Sequence, residues 1–197
     1  VSSFGSNGLI ELDRGYDDIL RVVGEINEQD EIIIAVGHNT SANNSIDLIV
    51  LNSDGTYSTS FSTDGVVEIN ISDDDKIGDL DIDPDGIYIV CGQSYVNADN
   101  LMVAKIDQDG SFVSDFGNWV HGIAIHDIPG SNDVANELIV QQDNKIVITG
   151  SARTGMGNNP AALFARLINE PTYSGPTWHV STSGSDDNDG SEENPFA

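Results

Sequence analysis

The chain has 197 residues, of which 38% are hydrophobic, so it contains enough apolar side chains to build a buried core. It carries 33 acidic and only 7 basic residues, a net charge of -26, which repels nucleic-acid phosphates and anionic membrane surfaces and argues against both as partners. Bound cations would relieve this self-repulsion, so the composition favours a calcium-rich extracellular or cell-surface setting. No apolar run of about 18 residues and no basic-then-apolar start appears, so we expect neither a membrane span nor a secretion signal within the chain.

A polar turn followed by a short apolar run that stops at a glycine occurs three times. The runs are residues 32–36, 87–91 and 146–149, and their closing glycines lie at positions 37, 92 and 150, spacings of 55 and 58 residues. Phenylalanines at positions 4, 61 and 116 repeat with nearly the same spacing, 57 and 55 residues. Since two landmarks share one period, the sequence predicts tandem structural units.

Each unit is predicted to contain four short antiparallel β-strands, labelled a to d. Strand c is nearly all apolar, as expected of a strand that is covered on both faces. In the second unit, Pro84 and Gly86 supply the fixed and the left-handed backbone angles that the turn from b to c needs. The alternation of apolar residues with Asp79 and Asp81 gives strand b one apolar face and one wet face. The predicted ranges are a at 9–12, 66–71 and 120–125, b at 19–26, 77–82 and 134–140, c at the three apolar runs, and d at 46–51, 101–106 and 162–167.

The predicted fold is all-β, with three tandem four-stranded antiparallel units forming a β-propeller-like partial ring or arc. The units occupy about residues 4–60, 61–115 and 116–168. Propellers close with about four to eight such units, so three units leave two open ends. We therefore expect partners in the neighbouring repeats of a longer parent chain or in self-association. Residues 169–176, rich in proline, glycine and hydroxyl side chains, read as a linker to a different piece at 177–197.

Two known families resemble parts of the chain. The turns Asp54-Gly55 and Asp109-Gly110, each followed by polar residues, then Ser-Phe or Asp-Phe, and a glycine, resemble the delta-60 repeat of large secreted bacterial proteins over residues 1 to about 168. That resemblance implies a propeller-like extracellular repeat and brings no catalytic residues. Residues 177–197, with Ser-Gly-Ser-Asp and Asn-Asp-Gly turns and an Asn-Pro-Phe-Ala end, resemble the opening of the parallel β-helix domain of pectate-lyase-like secreted proteins. This second resemblance implies that any catalytic or sugar-binding groove lies beyond Ala197.

Clustered carboxylates are the candidates for metal binding. Seven of them lie within residues 73–85, and calcium takes about six to eight oxygen ligands. The spacing is not that of an EF-hand, because a loop starting at Asp81 would need an acidic residue where Gly92 stands. A solvated acidic face, and for the later cluster a turn that bonds its own backbone, are the alternatives. The candidate ligands are Asp73, Asp75, Asp81, Asp83 and Asp85 in the first cluster, and Asp186 and Asn188 in the second.

No catalytic set emerges from the sequence. The four histidines are dispersed, and His121 and His126 would point to opposite faces of a strand, which argues against zinc. Ser151 lacks the glycine two residues later that a nucleophile elbow requires. Cys91, the single cysteine, reads as a small buried hydrophobe. Trp119 is expected in the core, with stacking on a sugar as the alternative.

These observations predict a non-enzymatic extracellular scaffold, one segment of a larger secreted or cell-surface protein that serves as a stalk, an adhesin or a filament subunit. The alternative is the accessory region of a polysaccharide-active β-helix enzyme, which would make polysaccharide a ligand. The first hypothesis depends on periodicity without a catalytic set, and the second on the C-terminal resemblance.

If calcium binds the native acidic run, the melting temperature should be higher in calcium chloride than in sodium chloride at equal ionic strength. Simple screening depends only on ionic strength, whereas an ion bound to the native state adds stability that depends on its own concentration. Differential scanning calorimetry of the chain in the two salts measures the difference. Equal melting temperatures would leave a solvated acidic face as the correct interpretation.

Overall fold

A computed structural model of the chain describes residues 4–41, 43–127, 131–154 and 159–167. In this part of the chain the backbone forms eleven β-strands and contains no helix, so it offers no helix that could cross a membrane. The all-β prediction is confirmed. The strands are β1 (Asp18–Ile26), β2 (Ile32–Asn39), β3 (Asn44–Leu51), β4 (Val66–Ile69), β5 (Asp75–Ile82), β6 (Tyr88–Tyr95), β7 (Asp99–Ile106), β8 (Ile123–His126), β9 (Ser131–Val140), β10 (Ile146–Thr154) and β11 (Asn159–Leu167).

The strands form three antiparallel sheets, which we number in chain order. The first has the order β1-β2-β3-β4, the second β5-β6-β7-β8, and the third, within the described residues, β9-β10-β11. Predicted strands b, c and d are the first three strands of each sheet. The fourth strand, β4 or β8, is strand a of the following unit. Each unit therefore adds its first strand to the sheet of the unit before it, and main-chain hydrogen bonds tie the two together.

The strand predicted at residues 9–12 is wrong. Apart from an isolated bridge between Ser6 and Leu9, this stretch is not paired. A strand of this class pairs with strand d of the preceding unit, and the described chain has no strand ahead of it. The segment instead lies against the first sheet, where the N–H of Gly5 donates to the carbonyl of Asp54 at 2.9 Å. The N–H of Ser62 makes the same bond, 3.0 Å long, to Asp109 at the second sheet, so residues 4–12 and 61–69 hold equivalent positions.

Hydrogen bonds in the turns from b to c show which residues of the three units are equivalent. In each turn the N–H of the first residue, Asn27, Asp83 or Gln141, donates to the carbonyl four residues later. The residue three positions after it has φ of +59°, +84° and +59° respectively, which confirms the left-handed role predicted for Gly86. The spacings of this register are 56 and 58 residues. Gly37 therefore corresponds to Gln93 and not to Gly92. An alignment of the first two units on their glycines is wrong by one residue.

The glycines at 37, 92 and 150 lie inside β2, β6 and β10, not at their ends. At Gly92 a Cβ would collide with the main-chain oxygen of Lys76, where β5 bulges. At Gly37 it would collide with the side chain of Ile77 in the second sheet. Crowding by the neighbouring unit is thus the reason for glycine at position 37, whereas a bulge within its own sheet is the reason at position 92.

The sheets stack face to face in chain order. We call the surface of a sheet that is turned toward the following sheet its forward face, and the opposite surface its rear face. One apolar cluster joins the forward face of the first sheet to the rear face of the second, and another joins the second to the third in the same way. Equivalent positions supply the forward faces: Ile33, Ala35 and Leu48 in the first sheet, Ile89, Cys91 and Val103 in the second, and Val147, Thr149 and Phe164 in the third.

The three sheets are covered to different extents. The second is covered on both faces, and β6 is buried over residues 88–94, as predicted for strand c. The rear face of the first sheet is partly covered by Ile10, Leu12 and Tyr16 from the N-terminal segment. On the forward face of the third sheet, Phe164 is 75% exposed. The stack is therefore an open arc.

Tyr88 and Tyr95, at the two ends of β6, give a matched test of the stacking. Tyr88 is 1% exposed and packs edge-on against Phe61 at 5.5 Å between ring centroids, whereas Tyr95 is 53% exposed. We expect Tyr88→Ala to lower the free energy of unfolding by about 3–5 kcal/mol, as for other buried aromatic residues. Tyr95→Ala should lower it by less than about 1 kcal/mol, because the Tyr95 side chain is exposed. Both changes carry the same loss of strand propensity, so the difference between them measures the packing of Tyr88. Urea denaturation measures both, and equal losses would contradict the assigned packing.

Candidate functional site

The predicted calcium ligands of the acidic run do not share one environment. Asp73 and Asp85 are exposed, Asp81 is half-buried, and Asp75 and Asp83 are buried. They are distributed along the link into β5, along β5 itself, and around the turn into β6. The five carboxylates are therefore spread over the whole length of β5 and the turns on either side of it.

Asp75 closes the link between β4 and β5. Its carboxylate accepts hydrogen bonds from the N–H of Ile71 at 2.6 Å, the N–H of Ser72 at 3.0 Å and the hydroxyl of Ser72 at 2.9 Å, and its side chain is fully buried. Three donors from one short turn satisfy a buried charge that would otherwise be costly to desolvate. The role of Asp75 in the structure is to shape the crossing from the first sheet to the second.

Asp79 and Asp81 join the second sheet to the third. Oδ2 of Asp79 accepts the N–H of Leu138 at 2.9 Å, and Oδ2 of Asp81 accepts the N–H of Val140 at 2.8 Å. Both donors belong to β9, the edge strand of the third sheet, whose free N–H groups would otherwise lack a protein partner. The face of strand b that was predicted to be wet is thus turned toward the next sheet. The alternation of acids at positions 79 and 81 was the signal, but the sequence could not identify the donors.

Asp83 holds the turn between β5 and β6 and faces a buried lysine. Its Oδ1 accepts the N–H groups of Asp85 and Ile87, both at 2.9 Å. Nζ of Lys105 lies 3.7 Å from Oδ2 of Asp83 and 5.5 Å from the centre of the Phe116 ring. Burial lowers the pKa of Lys105, and the charge of Asp83 opposes that shift. The pair is a structural contact at the edge of the interface between the second and third sheets.

Within the described ranges, no three His, Cys, Asp or Glu side chains converge as a metal site. Asp186 and Asn188, the linker at 169–176 and the piece at 177–197 lie outside the described residues. Calcium binding by the acidic run stays a prediction. Because Asp75 and Asp81 already accept structural hydrogen bonds, and Asp85 accepts one from the Asn144 amide at 2.9 Å, the exposed Asp73 is the residue whose change to Asn tests it without removing such a contact.

A second polar cluster, which the sequence did not predict, lies on the rear face of the first sheet. The Tyr16 ring stacks on His38 at 4.0 Å, and its hydroxyl donates to Asp47 at 2.6 Å, where Arg14 also donates at 3.1 Å. Burial and the bond to Asp47 raise the pKa of Tyr16. Nε2 of His38 lies 3.5 Å from Asp47 and 3.3 Å from the hydroxyl of Ser45. In a serine-hydrolase triad the serine and the aspartate contact different ring nitrogens of the histidine, so this cluster is not a triad. It holds the N-terminal segment, through Arg14 and Tyr16, against the first sheet.

Two further single residues bear on function. Cys91 is buried, and burial raises the pKa of its thiol to about 12, so it is the small hydrophobe that the sequence predicted and not a reactive thiolate. Trp119 is 51% exposed, so its predicted place in the core is wrong. It sits on a loop held by two bonds between Asn118 and the main chain of Ile125, at 2.9 and 3.0 Å. Because β8 begins only at Ile123, Trp119 precedes the strand and is not part of the sheet.

Comparison with known proteins adds no relationship: no family model matches the chain, and no curated protein is significantly similar to it. The interpretation of the site therefore depends on its geometry. The feature that repeats along the chain is the packing of the forward face of one sheet on the rear face of the next.

The carboxylates of Asp79 and Asp81 should contribute to stability through the bonds to β9. Hydrogen bonds to a charged group are worth about 1.5–3 kcal/mol, so Asp79→Ala and Asp81→Ala should each lower the free energy of unfolding by about that amount. The control is Asp73→Ala, which removes an exposed carboxylate from the same run and should change stability by less than about 0.5 kcal/mol. Hydrogen exchange of the Leu138 and Val140 amides provides a local readout. If neither amide exchanges faster in the variants, the bonds across the two sheets are absent in solution.

Proposed function

We propose that the chain is a non-enzymatic extracellular scaffold, a segment of a larger secreted or cell-surface protein that acts as a stalk, an adhesin or a filament subunit. The observation that carries the proposal is the repetition of one docking arrangement. The forward face of each sheet is buried by the rear face of the next, twice in succession and with equivalent residues. An arrangement of this kind can be extended without changing its chemistry, which is the property that a spacer or fibre needs.

The connections between sheets also suit a load-bearing role. The chain passes into the second sheet only after β4 has paired with β3, and into the third only after β8 has paired with β7. Pulling two successive units apart therefore requires the separation of a β-ladder as well as an apolar interface. The carboxylates of Asp79 and Asp81 add two further hydrogen bonds between the second and third sheets.

The acidic net charge of the chain supports an extracellular location for this scaffold. A net charge of -26 keeps copies soluble and is best tolerated where cations are abundant. One cleft in the described chain lies between successive turns and is lined by amides and carboxylates, including Asn27, Glu28, Asp83 and Gln108. Such a lining supplies hydrogen-bond acceptors and charge, and lacks a nucleophile paired with a base.

The second candidate is the accessory region of a polysaccharide-active enzyme. Two observations favour it: the β-helix-like sequence at residues 177–197, and Trp119 on its hydrogen-bonded loop, where the indole is free to stack on a sugar ring. Under this hypothesis, Trp119→Ala would abolish the retention of the chain in polysaccharide-containing gels. The scaffold hypothesis predicts no retention before or after that change.

The scaffold hypothesis predicts that the segment is displayed outside the cell. Antibodies raised against residues 4–167 should label intact source cells, and brief protease treatment of intact cells should remove the label. An antibody against a cytosolic protein of the same cells is the control, because it should label only permeabilised cells. Labelling that requires permeabilisation would contradict the proposal.

A further inference from the structure

We propose that the forward face of the third sheet binds the N-terminal end of a second copy of this chain, so that copies associate head to tail. This inference rests on the proposed scaffold function and names the partner and the surface through which it would assemble. We call the forward face of the third sheet the tail face. The head face is the exposed part of the first sheet, formed by the rear side of β1 and the adjoining N-terminal segment.

The tail face repeats a surface that is buried elsewhere in the same molecule. The turn register and the strand pairing align Phe164 with Val103 and Leu48, which are fully buried against the following sheet. They also align Val147 with Ile89 and Ile33, again fully buried. Phe164 is 75% exposed, and Ile139, on the same face but across β10 on β9, is 64% exposed. Side chains of this size exposed on a sheet face at docking positions mark an interaction surface.

The head face lacks the cover that its equivalents have. Ile26 on β1 corresponds to Ile82 on β5 and Val140 on β9, both of which pack against the preceding sheet. Ile26 itself is 65% exposed, and Val22 on the same strand is 55% exposed. The N-terminal segment packs against β2 and β3 through Ile10, Leu12 and Tyr16 and leaves these β1 side chains bare. The surface that a tail face normally meets is therefore open along β1.

The two faces differ in charge. Residues 131–167, which hold the third sheet, contain three acidic and three basic residues and so carry no net charge, although the whole chain has a net charge of -26. Residues 11–31, which include β1, contain eight acidic and two basic residues. Arg166, exposed on the tail face, stands where the second sheet has Lys105 at its interface with the third. A tail without net charge does not repel an acidic head, whereas two acidic heads repel each other.

The polar bonds between the second and third sheets offer a template for the contact. There, Asp79 and Asp81 accept N–H groups from the free edge of β9. Glu137 holds the position of Asp79 in the third sheet, and Gly24 and Ile26 on the free edge of β1 hold the positions of the two donor residues. Because the two surfaces are different, the contact is heterologous. It either closes, with two copies forming a ring of six sheets, or continues as a filament.

The test uses the 197-residue chain in sedimentation velocity over a wide range of concentrations at physiological ionic strength. Phe164→Glu blocks the tail face with a charge that the acidic head repels, and Ile26→Lys replaces an apolar side chain of the head face by a charge that the contact would have to bury. Both side chains are exposed in the single copy, so neither change should disturb its fold. The matched controls are Tyr95→Glu and Trp119→Lys, which place the same charges on exposed aromatic positions away from both faces.

The parent chain and both controls should associate, and each blocked variant alone should bind at least about a hundredfold more weakly, because an unpaired charge would be buried in the contact. An equimolar mixture of the two blocked variants should associate again, since each variant supplies the intact face that the other lacks. A monomeric parent would overturn the proposal, as would a mixture that stays monomeric. Loss of association in only one of the two blocked variants would also overturn it. That result is expected of a symmetric contact, in which the same face of each copy meets the other. A monomeric parent that still labels the cell surface would leave the scaffold function in place and remove only the head-to-tail contact.

Discussion

The burial of one sheet face by the next is the constraint on which the rest of the structure depends. A β-sheet of three or four short strands has two faces, and in water a sheet with apolar residues on both is stable only when both are covered. The second sheet meets this condition because it lies between its neighbours, and its central strand is buried over almost its full length. Within the described residues the first and third sheets each have one neighbour, so the described stack has two partly covered faces.

The path of the chain follows from this constraint. Because β4 and β8 complete the sheet of the preceding unit, the repeat in the sequence and the sheet in space are out of phase by one strand. The offset explains why residues 9–12 do not form a strand, although their sequence resembles that of β4. Strand formation at this position requires a partner strand d, and local propensity cannot replace it.

The distribution of carboxylates shows how a chain of net charge -26 forms close contacts between sheets. Some acids remain in solvent, whereas Asp75, Asp79 and Asp81 accept main-chain hydrogen bonds at points where the chain turns or where a strand edge would lack partners. A carboxylate accepts several bonds at once, so one side chain can satisfy a turn or an exposed edge. The acidic composition is thus partly architectural, and it would accompany such a stack whether or not calcium is bound.

The sequence by itself determined the all-β class, the number of units, most of the strands and the position of the left-handed turn residue, because periodicity and turn chemistry are local properties. It also placed Cys91 in the core, since an apolar β-branched run around a small residue specifies burial. Only the tertiary structure decided that strand a joins the preceding sheet, that Gly37 is one residue out of register with Gly92, that Trp119 is exposed, and that Asp79 and Asp81 bind β9. The same reason applies to all four: each depends on which distant segment lies opposite. A period in the sequence gives the spacing of such segments along the chain, but not the face or the edge at which they meet.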